Sequence, residues 1–140
     1  MSAHVHPHDH ERGELTRNQG LVLNTLAGAK GPLSAYSILD RLRGDGFRAP
    51  LQVYRALEKL QLYGLVHRLE SLNAFVACAH PHHHEAGLTA FAICEDCGRV
   101  DEFSDEVVEE RLGQWAGSTG FRPDKTTIEI RGHCGRCAAA

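Results

Sequence analysis

Two Cys-x-x-Cys pairs constrain the fold of this chain more than any other feature of its sequence. Cys94 and Cys97 form the first pair, Cys134 and Cys137 form the second, and the pairs are 37 positions apart, counted from Cys97 to Cys134. Four thiolates complete a tetrahedral site, which suits zinc because zinc accepts sulfur ligands and imposes little geometry of its own. The pairs therefore predict a structural four-cysteine zinc site that ties the end of the sequence to the start of its second half.

The number of cysteines favours metal binding over disulfides. The chain has five cysteines, and the fifth, Cys78, stands apart from both pairs. An odd number cannot pair completely, and a reducing compartment keeps thiols free.

No apolar stretch approaches the roughly 18 residues needed to cross a bilayer, and the first residues are rich in histidine where a signal peptide would be apolar. We therefore expect a cytoplasmic protein with no membrane partner.

Length and charge indicate a small protein with a basic first half. At 140 residues the chain is about one domain long, or two small domains that share a core. Residues 15–70 carry eight lysines and arginines against four acidic residues, whereas residues 71–140 carry six against eleven. The basic half suits a polyanion such as nucleic acid, although many ordinary protein surfaces carry a similar charge.

The first half of the sequence predicts three helices and a hairpin. Serine and threonine cap helices, proline suits a first turn, and apolar residues at helical spacing give each helix one buried face. The residues that mark the three helix starts are Thr16, Ser34 and Pro50. Short apolar segments at 65–70 and 74–78 follow as a hairpin. Residues 14–79 are therefore predicted to form a winged helix-turn-helix, whose third helix is available to a DNA major groove.

The second half predicts a small α/β unit over residues 88–140, so the chain as a whole is α+β. Strand-like segments flank the first cysteine pair, an acidic helix capped by Ser104 follows, and a last strand runs near residues 121–131. The side of this helix that we expect to be buried consists of Val107, Val108, Leu112 and Trp115. A unit of about 55 residues is close to the size at which a domain needs a metal or a partner.

Other metal-ligating residues lie outside the two cysteine pairs. Residues 1–13, expected to be a disordered tail, and residues 80–87, expected to be a hinge between the units, together hold eight of the ten histidines. His67, Cys78 and Glu102 are further candidates, although each also has an ordinary role as a wing histidine, a buried thiol and a surface carboxylate. A metal bound by His67, Cys78, Glu102 and the histidine cluster at 80–84 would tie the two units together.

Five motifs in a fixed order carry a resemblance to a known family. They are Ser34–Asp40, Val53–Leu57, Gly64–Ser71, Ile93–Gly98 and the final Cys-x-x-Cys. In this order they resemble the ferric uptake regulator (Fur) family, and within it the zinc uptake regulator branch. The resemblance covers about residues 15–137, and Val-Tyr-Arg-Ala-Leu followed by two cysteine pairs is its most specific part.

The resemblance implies a zinc-responsive repressor, not an enzyme, that binds palindromic operator DNA as a homodimer and takes no small-molecule substrate. It implies two Zn²⁺ ions per chain. The structural ion would be held by Cys94, Cys97, Cys134 and Cys137, and the regulatory ion by His67, Cys78, Glu102 and His84, with His82 as the alternative to His84. Iron-type members usually carry a His-His-Asp-His run where this chain has Leu88–Phe91, which favours zinc over iron.

The same resemblance implies the DNA contacts. Tyr36 and Arg55 match family positions that contact bases, and the guanidinium of Arg55 suits guanine O6 and N7. Tyr54 and Lys59 are expected to contact phosphates. Gln52 lies on or near the same outward face of the third helix and completes the predicted DNA-binding set.

The third helix departs from the family pattern, because Leu51 and Gln52 stand where proline and threonine are usual.

Other functions remain as alternatives to a zinc-responsive repressor. The chain could be an iron- or peroxide-responsive member of the same family. A small zinc metalloenzyme is another alternative, since mixed His/Cys/Glu ligands also occur at catalytic zinc, although the sequence shows no spare general acid or base. A zinc-storage protein, suggested by the histidine-rich tail, would not need the helix-turn-helix pattern.

Overall fold

The computed structural model describes residues 15–79 and 88–139, so the predicted tail and hinge lie outside the described residues. The chain divides into two compact units between Cys78 and Ala79. The first unit consists of three helices and a two-stranded hairpin, and the second of a three-stranded sheet with two helices. Among the described helices, none has the length and apolar character that crossing a membrane requires.

The first unit contains helices α1 (Arg17–Ala27), α2 (Ala35–Leu42) and α3 (Pro50–Leu62), with one 3-10 turn at Arg43–Asp45. Both predicted hydroxyl caps are present. The Thr16 hydroxyl accepts from the backbone N–H of Gln19, whose carboxamide accepts from the N–H of Thr16 in return, which forms a capping box. Ser34 caps α2 in the same way through the N–H of Ser37. The first two helices therefore start where local hydrogen bonding favours a start.

Helix α3 is fixed at both ends. Pro50 is its first residue, and the side chain of Gln52 folds back so that its Oε1 accepts from the N–H groups of Arg48 (2.7 Å) and Ala49 (3.1 Å). Gly64 follows the last turn with a φ of 73°, a left-handed conformation that glycine adopts at little cost. The start and the end of α3 are thus set by its own sequence.

The hairpin pairs strand β1 (Val66–Leu69) with strand β2 (Ala74–Ala77) in antiparallel register. Its turn ends at Asn73, which adopts a φ of 47° and accepts a hydrogen bond from the guanidinium of Arg68 at 3.0 Å. Leu33 and Phe75 exchange two backbone hydrogen bonds, of 3.0 and 2.8 Å, which joins the loop before α2 to the hairpin. The hairpin is therefore anchored to the helices.

A single apolar cluster fills the first unit. Its members come from all three helices and from the hairpin, and they include Val53, Ala56, Leu57 and Leu60, the apolar residues at helical spacing in α3. The cluster consists of Val22, Leu26, Ala35, Ile38, Leu39, Leu42, Phe47, Val53, Ala56, Leu57, Leu60, Val66 and Phe75. Apolar periodicity in the sequence thus predicted the contribution of α3 to this core correctly.

The second unit is built around strand β3 (Leu88–Cys94). Strand β4 (Val100–Phe103) pairs with it antiparallel on one side, and strand β5 (Thr126–Gly132) pairs with it parallel on the other. Helix α4 (Glu106–Thr119) lies between β4 and β5 in sequence, and a short helix, α5 (Gly135–Ala138), follows β5. The predicted α+β class is therefore confirmed.

Two expectations about α4 are wrong. Asp105 caps the helix in place of Ser104, since its Oδ1 accepts from the N–H groups of Val107 (2.9 Å) and Val108 (3.1 Å). The predicted buried side is exposed, because the described part of this chain has nothing that covers it. The exposed fractions are 75% for Val107, 39% for Val108, 41% for Leu112 and 56% for Trp115. Ala116 is the buried residue of this helix.

Candidate metal centres and nucleic-acid interface

The four paired cysteines converge within the second unit. Strand β3 ends at Cys94, Cys97 lies in the turn that follows, Cys134 caps α5, and Cys137 lies within α5. Their four sulfur atoms all lie within 4.8 Å of one another. The Sγ atoms of Cys97 and Cys134 are 3.8 Å apart. The structure thus brings together residues that are almost 40 positions apart in the sequence.

The spacing of these sulfurs fits a tetrahedral metal site. Four sulfurs at about 2.3 Å from a central zinc ion lie about 3.8 Å from one another in a regular tetrahedron. A disulfide requires an S–S distance of about 2.05 Å, much shorter than the 3.8 Å between the Sγ atoms of Cys97 and Cys134. The cluster therefore has the donor set and the size that structural zinc requires.

The register of the sheet builds this site. Because β3 and β5 are parallel neighbours, Cys94 lies opposite Gly132, and the N–H of Glu95 donates to the Gly132 carbonyl at 2.8 Å. The N–H of Cys134 donates to Cys94 Sγ at 3.3 Å. The turn after β3 closes with a hydrogen bond from Gly98, whose φ is 77°. Backbone hydrogen bonds therefore hold the two cysteine segments side by side.

Hydrogen bonding gives the thiols of the cluster different pKa values. The backbone at Cys97 and Cys134 donates to Cys94 and lowers the pKa of its thiol to about 6, so that it is mostly thiolate at neutral pH. The pKa of Cys134 is also lowered, chiefly by the backbone at Cys137. Hydrogen bonding with the side chains of Cys134 and Cys94 raises the pKa of the Cys137 thiol to about 12. A bound cation would displace the remaining protons.

Two polar pairs, called the outer pairs below, also join the cysteine segments. Asp96 and His133 form the first, with 2.7 Å between Oδ2 and Nδ1, and the carboxylate of Asp96 raises the pKa of His133. Glu95 and Arg131 form the second, with 2.9 Å between Oε1 and Nη2. Sequence reasoning missed these four residues, although Glu95 and Asp96 lie between Cys94 and Cys97, and Arg131 and His133 lie within three residues before Cys134.

The residues predicted for a regulatory metal lie on several elements. His67 is a buried residue of β1, and Cys78 is half-buried just after β2. A ring nitrogen of His67 lies within 4.8 Å of Cys78 Sγ, so the first unit supplies a histidine–cysteine donor pair. Glu102 lies on β4 of the second unit, opposite Phe91. His84 and its alternative His82 lie outside the described residues.

The predicted DNA-binding residues lie on α2 and α3. Tyr54, Arg55 and Lys59 are exposed on the face of α3 that points away from the core, and Tyr36 is 63% exposed in the first turn of α2. Gln52 differs from them. It is half-buried, and its amide oxygen already accepts the two backbone hydrogen bonds that cap α3, which leaves only its amide nitrogen to donate elsewhere.

Comparison with known proteins settles the family. Residues 14–131 match the ferric uptake regulator family. The chain belongs to the ferric uptake regulator family. The match ends before Cys134, so the grouping of the second cysteine pair with the first rests on the geometry described above.

Two relatives illustrate the range of similarity within the family. The zinc uptake regulation protein of Escherichia coli (strain K12) is 38% identical over 124 residues, which span 88% of this chain and 72% of that protein. The ferric uptake regulation protein of Shigella flexneri is 36% identical over 105 residues, which span 73% of this chain and 68% of that protein. The zinc protein therefore matches over a longer stretch and at slightly higher identity.

Solved structures support the same fold. Holo XcZur is 43% identical to this chain, with a TM-score of 0.83, over 94% of this chain and 92% of that one. A zinc uptake regulator solved in complex with zinc and DNA is 35% identical, with a TM-score of 0.85, over 93% of this chain and 87% of that one. The resemblance inferred from the sequence motifs is therefore confirmed.

Proposed function

We propose that this protein is a zinc-responsive transcriptional repressor that binds palindromic operator DNA as a homodimer and controls zinc uptake genes. The observation that carries the proposal is the polar, exposed face of α3, in a chain that is similar over 93% of its length to a zinc uptake regulator solved with zinc and DNA. The relatives described above are regulation proteins, not enzymes. A repressor of this kind acts in the cytoplasm, where bacterial DNA lies.

Helix α3 would enter the major groove. Arg55 is exposed near its middle and can donate two hydrogen bonds to O6 and N7 of one guanine. Tyr36 would contact a second base from α2, while Tyr54 and Lys59 would contact phosphates. Gln52 would contribute mainly through the cap that orients the helix, since its amide oxygen is already engaged.

The cysteine cluster would hold the structural zinc ion. When bound, the ion would supply a cross-link between the β3 turn and α5. The chain's own contribution is the parallel register of β3 and β5, which brings Cys94 and Cys134 together. The thiolate character of Cys94 at neutral pH favours cation capture at this position.

The regulatory zinc ion would be bound by His67, Cys78, Glu102 and His84, with His82 as the alternative histidine. The proximity of the His67 ring to Cys78 Sγ supports the first two ligands. Glu102 matches a family position. His84 has a longer tether from Cys78 than His80 and lies closer to β3 in sequence, which makes it easier to deliver.

These ligands come from both units, so metal binding would select one arrangement of the units among many. Only an arrangement that fits two half-sites on one face of the duplex would repress. A 10⁴-fold change in the ratio of the two arrangements requires zinc to bind one of them about 5.5 kcal/mol more tightly. Repression would therefore depend on zinc without any change in the DNA-contacting residues themselves.

A second copy of the chain would cover the open surface of the second unit. Helix α4 exposes its apolar side, and a cavity of about 320 Å³ lies between Leu112, Trp115 and Phe121. Strand β5 is an edge strand, and Ile130 on it is 51% exposed. An edge strand and an apolar helix side are both self-complementary under a two-fold axis. These surfaces support a homodimer built on the second unit.

A gel shift on the DNA upstream of the protein's own gene tests the proposal. The full chain should retard this DNA with zinc and release it after mild chelation, because the regulatory site is then empty. Arg55→Ala serves as the matched control, since it removes a base contact and leaves both metal sites intact. Equal retardation with and without zinc would contradict a zinc-responsive repressor, and retardation by iron or manganese alone would favour the iron-type alternative.

A further inference from the structure

Leu51 is an exposed leucine in the first turn of α3. It is 57% exposed, whereas its neighbours Pro50 and Gln52 are half-buried and Val53 is fully buried. The buried residues of α3 lie on the other side of the helix, so core packing does not account for a leucine here. A single exposed leucine is ordinary on a protein surface. Leu51 differs from such residues because it lies in the first turn of α3.

The first turn of α3 is held rigidly. The ring of Pro50 fixes one backbone angle, and the carboxamide of Gln52 accepts from the N–H groups of Arg48 and Ala49. The side chain of Gln52 is therefore engaged with the helix's own start. Among residues 50–53, Leu51 is the exposed side chain that this turn presents.

The chemistry of Leu51 restricts what it can recognise in DNA. The N-terminal residues of a recognition helix contact base edges in the major groove. Most groups displayed there are hydrogen-bond donors or acceptors, which leucine cannot satisfy, whereas the C5-methyl group of thymine is apolar. Contact between Leu51 and this methyl group removes apolar surface of both partners from water.

We propose that Leu51 is a specificity-determining residue that recognises a thymine methyl group beside the guanine contacted by Arg55. The inference rests on the proposed function, because it requires α3 to enter the major groove. Leu51 and Arg55 are four residues apart on one helix face, which separates their Cβ atoms by about 6 Å. Successive base pairs are about 3.4 Å apart, so the thymine lies within about two base pairs of the guanine.

A cycle that combines protein and DNA substitutions tests this inference. An operator is first selected from a random library with the unmodified protein and zinc. The thymines of one half-site are then replaced one at a time by deoxyuridine, which pairs in the same way and lacks only the methyl group. At one thymine, the unmodified protein should lose about four-fold in affinity, because one methyl group is no longer buried. Leu51→Ala should bind the thymine and uridine operators equally.

Leu62→Ala is the matched control. Leu62 is the last residue of α3 and is 74% exposed, so its removal takes away the same side chain from the far end of the same helix. This variant should keep the four-fold preference for thymine. Circular dichroism of both variants should match the unmodified protein, since neither leucine is buried.

The outcomes separate this inference from the function on which it rests. If Leu51→Ala keeps the same thymine-to-uridine ratio as the unmodified protein at every position, the role of Leu51 is overturned while zinc-dependent binding stands. An equal loss on all sequences, including random DNA, would also overturn it. If the unmodified protein shows no zinc-dependent DNA binding, the proposed function fails, and the inference fails with it.

Discussion

The two units of this protein are stabilised in different ways. In the first unit, each of the three helices buries at least two residues in one apolar cluster. In the second unit, the 14 residues of α4 contribute Ala116 alone to the buried set, while Trp115 and Phe121 form an aromatic pair at the surface with ring centroids 5.7 Å apart. A small unit without a sufficient core needs cross-links or a partner. From this difference we expect the first unit to be stable by itself and the second to depend on a metal cross-link, while a second copy covers its open surface.

Replacement of one cysteine of the cluster should have the largest effect on the difference in stability between the two units. Cys94→Ser removes a proposed zinc ligand at the end of the central strand β3, so we expect the second unit to unfold and the dimer to dissociate, while the helical signal of the first unit persists. Zinc content, sedimentation and circular dichroism measure the three effects. Cys78→Ser is the control, and it should leave a folded dimer that no longer responds to zinc. Equal insolubility of both variants would refute the division into structural and sensory sites.

The next substitutions test which histidine makes DNA binding by the first unit depend on zinc. His84→Ala should abolish zinc-dependent retardation of the operator, because it removes one proposed ligand of the regulatory ion while the cysteine cluster remains. A zinc titration in a gel shift measures this. His80→Ala and His83→Ala should keep most of the response. A titration curve for His84→Ala that overlays that of the unmodified protein would transfer the role to His82.

A charge on the open side of α4 should weaken the dimer without unfolding the chain. Trp115→Glu places an unpaired carboxylate in the proposed apolar interface, and we expect dimer affinity to fall by at least about 100-fold. The fold should persist, because Trp115 is 56% exposed in the single chain. Analytical ultracentrifugation measures the affinity. Gln114→Glu adds the same charge one position away and should dimerise normally, and an unchanged Trp115→Glu dimer would place the interface elsewhere.

The outer pairs should have the smallest effect, since exposed ion pairs contribute little. Asp96→Asn removes the charge that pairs with His133 across the two cysteine segments. The second unit should therefore release its structural zinc ion to a competing chelator about two- to five-fold faster. Asp101→Asn is the control. Its carboxylate pairs with Arg99 at 3.0 Å within a single segment, and its loss should not change the release rate. Equal release rates for both variants and the unmodified protein would remove the outer pairs from metal retention.

Two of the three predicted hydroxyl caps form as the sequence indicated. Thr16 and Ser34 were predicted as caps because a hydroxyl reaches backbone N–H groups only three residues away. Ser104 was predicted in place of Asp105, because two good capping residues are adjacent and the pattern does not distinguish them. Helix α5 was missed because four residues are too few to show a period.

The sequence pattern also carries no information about what covers a surface. Periodicity identified the apolar side of α4 correctly, yet Leu112 and Trp115 are exposed, because periodicity specifies a side and not the element that packs against it. The outer pairs join residues 36 and 37 positions apart, and only the register of β3 with β5 brings them together. Grouping of the four cysteines was predictable because their chemistry requires it.

The parallel pairing of β3 with β5 determines the order in which the protein can fold during synthesis. All contacts of the first unit's core lie within residues that leave the ribosome early, so this unit can fold while the rest is being translated. Strand β3 must wait for β5, whose partner residues, such as Gly132 opposite Cys94, are made almost 40 residues later. A nascent chain can therefore form helix α3 before it forms the cysteine cluster, and newly made protein passes through a stage in which it is folded at one end only.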